Sequence, residues 1–484
     1  MQKCLYKGLC PKLNTKHTLI TMTTIINPLA FFNSSSFSSF YEEKMKHKKG
    51  GGLDGLTPGK FFHRYVDEFE DIAKRCRKGT YEFSPYREKL ILKGREKFPR
   101  MLSVPCMRDR MVLGELNLYL QNVFPEAVNH DVPNKYINDV ADFLAEHSSE
   151  KIHFFKTDIK GFFDNIHLAS LYAKLETRIE APMLQLIKAA IETITVASDS
   201  PKAANRRQER KNGIPQGLAI SNILAYISML EFDESIKAMC DTNTVYKRYV
   251  DDILILSTST IDASFVDKFK KELDQRCVSL ELSPDKTQYG VVGNAAFDYL
   301  GYMIKSVHTI SIRNKNVQSY LNRISRLIAR YKTQKTNKNL RPRFICQDKE
   351  FDDYYVSLIN QKLAGVKISN HLFGWLPYFQ AMTDVRLLYE IDTVVHRKFM
   401  KGLDIASRIK NLPKVYWDIK KDAGKHTLMD YDALTDIADI RNYLLSKGLI
   451  DEDMKYDNED IKIKYMVHLD RLRKDAMISI GTTS

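Results

Sequence analysis

The stretch VYKRYVDDILIL, residues 245–256, holds two adjacent aspartates between two apolar runs. This pattern predicts two antiparallel strands joined by a tight turn, with Asp251 and Asp252 at the turn. Carboxylates this close raise each other's pKa, and the arrangement is unfavourable unless a cation shares the site. A solvated turn is the simpler interpretation of an isolated Asp-Asp pair, because aspartate is common in turns.

A second acidic strand end changes that balance. The apolar run IHFFKT, residues 152–157, ends at Asp158, and Gly161 allows the chain to turn sharply after it. Three carboxylates from two strands can then converge. Two divalent cations held by carboxylate oxygens are the usual arrangement for displacement at phosphorus, so the pattern indicates phosphoryl or nucleotidyl transfer.

Seven motifs in this sequence resemble, in the same order, those of the reverse transcriptases, and more narrowly those of the bacterial enzymes related to group II intron reverse transcriptases. The motifs are Leu53-Asp54-Gly55, Lys93 with residues 100–105, DIKGFFDNI at 158–166, residues 213–217 with Ser221-Asn222, YVDD at 249–252, residues 282–287, and residues 297–301. YVDD alone is a weak signal in a chain of this size, whereas seven motifs in order are a strong one.

The resemblance implies an α+β fold, a right-hand polymerase whose palm packs an antiparallel sheet on helices. We expect fingers at residues 51–150 and a palm at 151–310, after a partly flexible N-terminal extension at 1–50. Beyond the palm the pattern changes to long helical segments with few strand signals. Residues 311–484 are therefore predicted to form an α-helical thumb and C-terminal region.

The resemblance also implies roles for the aspartates and for one aromatic residue. Asp158 and Asp251 would bind two Mg²⁺ ions, with Mn²⁺ as an alternative, and Asp252 would complete the catalytic and metal-binding cluster. Phe163 follows Asp158 in DIKGFFDNI at the place of the family's steric gate. Its ring would exclude a ribose 2′-hydroxyl and so favour deoxynucleotides; a core aromatic is the alternative.

Five further residues are implied to bind the incoming nucleotide. Lys93 and Arg100 would hold triphosphate oxygens. Gln216 and Gly217 would shape the floor of the site, and Lys286 would assist the pyrophosphate leaving group. Taken alone, Lys93 and Arg100 are better explained as solvated surface cations, a surface lysine explains Lys286 almost as well, and a bare turn is the alternative for Pro-Gln-Gly.

Charge points to a polyanionic partner. The chain has 74 Lys and Arg against 60 Asp and Glu, a formal net charge of +14. Residues 320–343 contain several basic residues and no acidic one, and a second basic stretch occupies residues 202–211. We expect both to contact nucleic acid, and a solvated face is the alternative. The candidate residues are Arg206, Arg207, Arg210, Arg323, Arg326 and Arg330.

Cysteine usage and hydropathy bear on location. The seven cysteines are scattered and form no C-x-x-C pair, which is typical of a cytosolic thiol protein. No stretch approaches the roughly 18 apolar residues of a membrane span. Lysines before residues 18–26 loosely resemble a secretory signal but lack a convincing cleavage site. We expect a cytoplasmic bacterial protein that does not bind membranes.

Within the family, the details favour bacterial reverse transcriptases of antiphage defence, often encoded beside a structured noncoding RNA. The valine of YVDD and Val-Val-Gly at 291–293 argue mildly against a retron, and Ser221-Asn222 departs from the Ser-Pro usual in intron enzymes. The expected partners are an RNA template, such as a structured noncoding RNA, a complementary DNA product and deoxynucleoside triphosphates. Assembly into a homo-oligomer is left open.

Two alternatives stay open. One is a retron-type or group II intron-derived reverse transcriptase. The other, of a different class, is a catalytically silent RNA-binding scaffold; the intact set of three aspartates argues against it, because nothing structural requires acids at all three positions. Beyond residue 345 no chemistry is assigned, and the aromatic residues are interpreted as packed helix core rather than a base-stacking platform. They are Trp375, Tyr378, Phe379 and Tyr389.

Overall fold

The computed structural model describes residues 26–46, 51–92, 98–129, 131–198, 207–345 and 347–478. Lys93 and Arg206, both predicted site residues, lie outside these ranges. The helices are α1 (Ser34–Phe40), α2 (Pro58–Tyr65), α3 (Phe69–Arg77), α4 (Met107–Val123), α5 (Pro133–Glu146), α6 (Phe162–Asn165), α7 (Leu168–Glu176), α8 (Ala181–Glu192), α9 (Ser221–Met239), α10 (Ala263–Arg276), α11 (Asn314–Thr336), α12 (Asp348–Ala364), α13 (Trp375–Tyr378), α14 (Val385–Thr393), α15 (Leu412–Asp422), α16 (Ile437–Ser446) and α17 (Asn458–Ile478).

The strands are shorter and form four sheets. They are β1 (Tyr86–Ile91), β2 (Arg100–Val104), β3 (His153–Asp158), β4 (Thr195–Val196), β5 (Thr244–Tyr249), β6 (Asp252–Ser257), β7 (Gln288–Val291), β8 (Phe297–Tyr299), β9 (Tyr302–Ser306), β10 (Thr309–Ile312), β11 (Val366–Ile368), β12 (His371–Phe373) and β13 (Met429–Asp430).

The central sheet carries the three aspartates. Its strands run in the order β5-β6-β3-β7, and each neighbouring pair is antiparallel. Successive side chains of a strand point to opposite faces, and both faces of this sheet are covered. Phe155 and Ile253 lie in one hydrophobic core, with Phe269 of α10, whereas Phe154 and Leu254 lie in a second. Burial on both faces explains why the sequence here reads as continuous apolar runs.

The N-terminal part is a mixed α/β unit. β1 pairs antiparallel with β2 and parallel with β4. Helix α1 lies directly on α4, since a Cβ placed at Gly114 would come within 2.1 Å of the Phe40 ring. Phe37 of the same helix is fully buried. This segment of the predicted N-terminal extension is therefore part of the core.

The sheet β10-β9-β8 leads into α11, which begins at Asn314, close to the predicted end of the palm. Tyr320 of α11 stacks on Trp375, with ring centroids 4.1 Å apart. Trp375, Tyr378 and Phe379 are buried, as predicted. The prediction is wrong for Tyr389, which is 57% exposed, because the buried face of α14 carries its neighbour Leu388 instead.

The C-terminal region is mainly helical but contains a small sheet that the sequence did not predict. Its order is β12-β11-β13, and it packs with α16 and α17 in a third hydrophobic core. Strands of two or three residues are too short to show a hydrophobic period, so this sheet left no signal. Among the described helices, none is long and apolar enough to cross a membrane.

Candidate active site

Asp158, Asp251 and Asp252 meet at one end of the central sheet. Asp158, the last residue of β3, stands opposite Asp252, the first residue of β6, in the antiparallel ladder. Asp251 lies in the turn between β5 and β6, and its carbonyl accepts a hydrogen bond from the Ile159 N–H at 3.1 Å. The predicted hairpin is present, with one correction. The turn residues are Val250 and Asp251, because Asp252 already pairs with Tyr249 in the ladder.

The turn is strained. Val250 has a φ of 58°, in the left-handed region that a β-branched residue rarely adopts, at a cost of roughly 1–3 kcal/mol. Side-chain hydrogen bonds hold it there. The Val250 N–H donates to the Tyr226 hydroxyl at 3.2 Å, and the Arg248 Nη1 donates to the Val250 carbonyl at 2.9 Å.

Helix α9 anchors these contacts. Arg248 is buried and forms a two-pronged ion pair with Asp233 of α9, with its Nε 2.7 Å from the Asp233 Oδ1. Its guanidinium also lies over the ring of Tyr226, another α9 residue, 4.7 Å from the centroid. We call Tyr226, Asp233 and Arg248 the turn clamp. Through it, α9 fixes the position of Asp251.

The aspartates interact unfavourably with one another. Burial, and after it the charges of Asp251 and Asp158, together raise the pKa of Asp252 to about 7. Burial and the charge of Asp158 also raise the pKa of Asp251, while Lys286 and Arg100 oppose this shift. Arg100 is thereby close enough to the cluster to act on it. The site therefore concentrates negative charge, which bound cations would stabilise.

Lys286 supplies one cation directly. Its Nζ donates to the Asp158 Oδ2 at 2.6 Å, and the Ser283 hydroxyl donates to the Asp158 Oδ1 at 2.9 Å. The Ser283 N–H also donates to the Asp158 carbonyl at 2.7 Å. The segment 283–286 is thus tied to the aspartate cluster. Lys286 was predicted only to assist the leaving group, and its contact with Asp158 is a finding of the structure.

The ligand chemistry of the site suits divalent metal ions. Carboxylate oxygens are the ligands that Mg²⁺ prefers, and three carboxyl groups lie at this end of the sheet, two of them with raised pKa values. A bound cation would relieve the repulsion that raises them. Asp158, Asp251 and Asp252 are the residues that would hold it.

Phe163, Gln216 and Gly217 lie together beside the aspartates' strands. Phe163 is partly buried on α6, and its carbonyl accepts the Ile214 N–H at 2.8 Å. The Gln216 carbonyl accepts the Ser103 N–H of β2 at 2.7 Å. Gly217 has a φ of 101°, and a Cβ there would meet the Ser103 carbonyl oxygen at 2.9 Å. Only glycine fits this close approach, so Pro-Gln-Gly is a junction with the N-terminal sheet and the alternative of a bare turn does not describe it.

A cavity of about 550 Å³ opens next to Gly217, between β1, β2 and the N-terminal segment. Its floor is largely apolar, from residues such as Leu102 and Val104. Four cations line it. They are Lys44, Arg87, Lys89 and Arg110.

The predicted basic residues are spread over two surfaces. Arg207 is exposed and Arg210 half-buried, at the end of α8. On α11, Arg326 and Arg330 are exposed, whereas Arg323 is partly buried and the charge of Arg326 helps to lower its pKa, after burial itself. Three further cations of the basic stretch form ion pairs with acids of α12. These ion pairs are Lys335–Asp352, Lys338–Asp348 and Arg341–Asp348.

Sequence reasoning missed the turn clamp and Ser283. Tyr226 and Asp233 have no local signal, since their roles arise only when α9 packs under the hairpin. Arg248 lies in a strand, two residues before Val250, and a charged residue at such a position is normally predicted to face the solvent. Its burial is explained by Asp233, which lies elsewhere in the sequence. Long-range ion pairs of this kind are invisible to spacing arguments.

Comparison with known families gives one match. Residues 91–304 match the model described as reverse transcriptase (RNA-dependent DNA polymerase). The group II intron-encoded protein LtrA of Lactococcus lactis subsp. cremoris is 25% identical over 197 residues, which is 40% of this chain and 32% of LtrA. A 91 kDa protein in the cob intron of Schizosaccharomyces pombe is 26% identical over 199 residues, 40% of this chain and 24% of that protein.

Other relatives are more distant. Protein YkfC of Escherichia coli is 23% identical over 297 residues, 52% of this chain and 75% of YkfC. Among solved structures, telomerase of Candida albicans with a fragment of telomeric RNA has a TM-score of 0.41 at 14% identity, covering 72% of this chain and 68% of that one. The chain spans about a third or less of the two intron proteins.

Proposed function

We propose that this protein, whose residues 91–304 match the reverse transcriptase family model, is an RNA-directed DNA polymerase that works by two-metal nucleotidyl transfer. One observation carries the proposal: Asp158, Asp251 and Asp252 converge from paired strands, and a strained turn is held to present one of them. Nothing in the packing of the sheet requires three acids here. A polymerase site requires them to hold its cations.

The chain's own residues divide the work around the aspartates. Bound Mg²⁺, or Mn²⁺ in its place, would stabilise the attacking and leaving oxygens of the displacement. Arg100, whose charge reaches Asp251, would hold the triphosphate. The Lys286 ammonium, which donates a hydrogen bond to Asp158 in this structure, would turn to the departing pyrophosphate and donate a proton to it.

Selection of the sugar and the base would fall to the neighbouring aromatic residue and turn. The Phe163 ring would stand against the 2′ position and leave no room for a hydroxyl. Gln216 and Gly217 would form the floor under the nucleotide, since Gly217 lets the chain approach β2 closely. Lys93, which lies outside the described residues, belongs to the same set of proposed nucleotide-binding residues.

The template would be RNA and would lie along the cationic cavity beside Gly217. Lys44, Arg87, Lys89 and Arg110 offer charge for a phosphate backbone, and the apolar floor offers a surface for bases. Outside the cavity, the proposed RNA-binding residues are Arg206, Arg207, Arg210, Arg323, Arg326 and Arg330.

For the biological role, we propose synthesis of complementary DNA on an associated structured noncoding RNA, in antiphage defence, in the bacterial cytoplasm. The valine at position 250 and the Val-Val-Gly at 291–293 support this over a retron-type enzyme, and Ser221-Asn222 supports it over an intron-derived one. A silent RNA-binding scaffold is the second candidate. It would need no clamp on a strained turn, which is why we favour an enzyme.

The experiment is to purify the tagged protein from its host and sequence the RNA and DNA that accompany it. We expect one RNA species and DNA complementary to part of it. In a strain carrying Asp251→Asn, the RNA should persist and the complementary DNA should disappear. Complementary DNA at the same level in both strains would refute the enzyme, and RNA alone in both would support the scaffold.

A further inference from the structure

Helix α15 exposes an unpartnered tryptophan. The chain has two tryptophans, and Trp375 is buried and stacked on Tyr320. Trp417 is instead 45% exposed, and its one aromatic contact within the described residues is edge-on to its neighbour Tyr416. Tyrosine and tryptophan usually bury most of their apolar area, so an exposed indole is an available contact surface.

Lysines surround this indole on the same side of the helix. Lys414, Lys420 and Lys421 lie three residues before, three after and four after Trp417, which places all of them next to it on the helix surface. All three are exposed. Within the described part of the chain, no ion pair involves any of them, in contrast to the basic residues at the end of α11.

The acids of α15 do not cancel this charge. Asp418 is half-buried and turned to the following loop, where it accepts the Thr427 N–H at 2.8 Å and the Thr427 hydroxyl. Asp422 is exposed, with its Oδ2 3.9 Å from the His426 Nε2. The face around Trp417 therefore combines an exposed aromatic ring with three lysines that form no ion pair among the described residues.

We propose that this face of α15 binds single-stranded nucleic acid, with the Trp417 ring stacked on a base and Lys414, Lys420 and Lys421 on the flanking phosphates. Aromatic platforms combined with cations are the usual means of holding single strands without sequence preference. The site lies outside residues 91–304, the part that matches the reverse transcriptase family model. Its argument stands on this helix alone and does not depend on the proposed enzymatic activity.

Tryptophan and lysine side chains can also bind a lipid surface, but the composition of α15 does not favour this. Its remaining apolar residues, such as Val415, Tyr416 and Ile419, are buried in the core. Only one large apolar side chain is left to enter a membrane, whereas interfacial helices present a whole apolar face. A polyanionic strand needs no more than the one ring.

The test uses tryptophan fluorescence of the full-length protein without nucleotides. Because Trp375 is buried, quenching by an added oligonucleotide should report Trp417 alone. We expect oligo(dT) or oligo(U) to quench part of the emission, and Trp417→Phe to abolish this change while leaving the Trp375 emission. Stronger quenching by oligo(U) would indicate a template strand, and by oligo(dT) a product strand. Both results support the site.

The lysines and the stacking are tested separately. Replacing both Lys420 and Lys421 by alanine should reduce the slope of log affinity, read from this quenching, against log salt by about 1.4, from about 0.7 per phosphate contact on single strands. An oligomer of the same length without bases should bind about 5- to 100-fold more weakly. Tyr389→Ala is the matched control, since Tyr389 is exposed but its neighbours Arg386 and Glu390 pair with each other. It should change neither measurement.

Three results would overturn the proposal. One is quenching that persists in Trp417→Phe. Another is equal quenching by the oligomer without bases, which would reduce the site to a general anion surface. The third is quenching by vesicles of phosphatidylglycerol but not by oligonucleotides, which would make the face a membrane contact.

Discussion

At the scale of single residues, Asp252 couples the site to pH and to metal ions. Its pKa is raised to about 7, above the ordinary value for an aspartate, first by burial and then by the charges of Asp251 and Asp158. Between the two pKa values, the folded protein binds more protons than the unfolded chain. The free energy of unfolding of the metal-free protein should therefore fall as pH rises from about 4 to about 7.

This predicts a pH-dependent effect of Mg²⁺ on stability. Adding Mg²⁺ should raise the melting temperature by a few degrees at pH 7.5 and by much less at pH 5, where Asp252 is protonated. Differential scanning fluorimetry checks this. In Asp252→Asn the metal-free protein should be more stable at pH 7.5, and most of the gain from Mg²⁺ should be lost. A gain from Mg²⁺ that is the same at both pH values would contradict this assignment.

Phe163 makes a prediction about sugar selectivity. Phe163→Ala should let the enzyme incorporate ribonucleotides, because the smaller side chain leaves room for a 2′-hydroxyl. The measurement is the ratio of kcat/KM for a deoxynucleotide and the matching ribonucleotide, which should fall at least tenfold. Phe162→Leu is the control, since Phe162 is buried against the core. Unchanged selectivity would return Phe163 to the role of a core aromatic.

At the scale of elements, the hairpin β5–β6 depends on α9. The turn clamp holds Val250 in a conformation that valine resists and glycine adopts freely. The Tyr226 hydroxyl accepts from the Val250 N–H, so removing it leaves a half-buried donor without its partner. Loss of the turn clamp and relief of the backbone strain at position 250 should therefore offset each other when both are introduced together.

The prediction is a rescue between two substitutions. Tyr226→Phe keeps the ring beside Arg248 but should weaken Mn²⁺ binding, measured by electron paramagnetic resonance, and slow synthesis about 5- to 100-fold. Adding Val250→Gly should restore part of both, because glycine needs no clamp in the left-handed region. Val250→Gly alone is the control. If Tyr226→Phe behaves like the wild type, or the double variant is worse than the single one, the clamp has no positioning role.

The elements also show where sequence patterns succeed and fail. The strands around Asp251 were predictable because β6 carries the apolar run ILIL at 253–256 and β5 is rich in aromatic and β-branched residues, with turn residues between the two strands. The sheet β12-β11-β13 was not, because its strands are two or three residues long. Tyr389 was misassigned to the core because a spacing pattern does not say which of two adjacent helix positions faces inward. Partners distant in sequence, such as Asp233 for Arg248, decide these details.

At the scale of the whole molecule, the positive charge behind the net charge of +14 is not equally accessible to a nucleic acid everywhere. Some basic residues of the stretch 320–343 form ion pairs with acids of α12. Counting the charges within that stretch alone could not show this. Further positive charge lines the cavity beside Gly217 and lies on the exposed side of α15. The sequence predicted that the strand ends carrying Asp158, Asp251 and Asp252 lie together, because strand and turn patterns are local. For residues 345–484 it predicted helices but no chemistry.

The central claim is that three aspartates make this chain a DNA polymerase that copies RNA. It is tested most directly by incorporation of a labelled deoxynucleotide on a defined RNA template with Mg²⁺. We predict that Asp251→Asn lowers the rate at least 100-fold, whereas Asp267→Asn, at an exposed acid on α10, leaves it unchanged. Equal incorporation by the wild type and Asp251→Asn, or incorporation that needs no RNA, would contradict the claim.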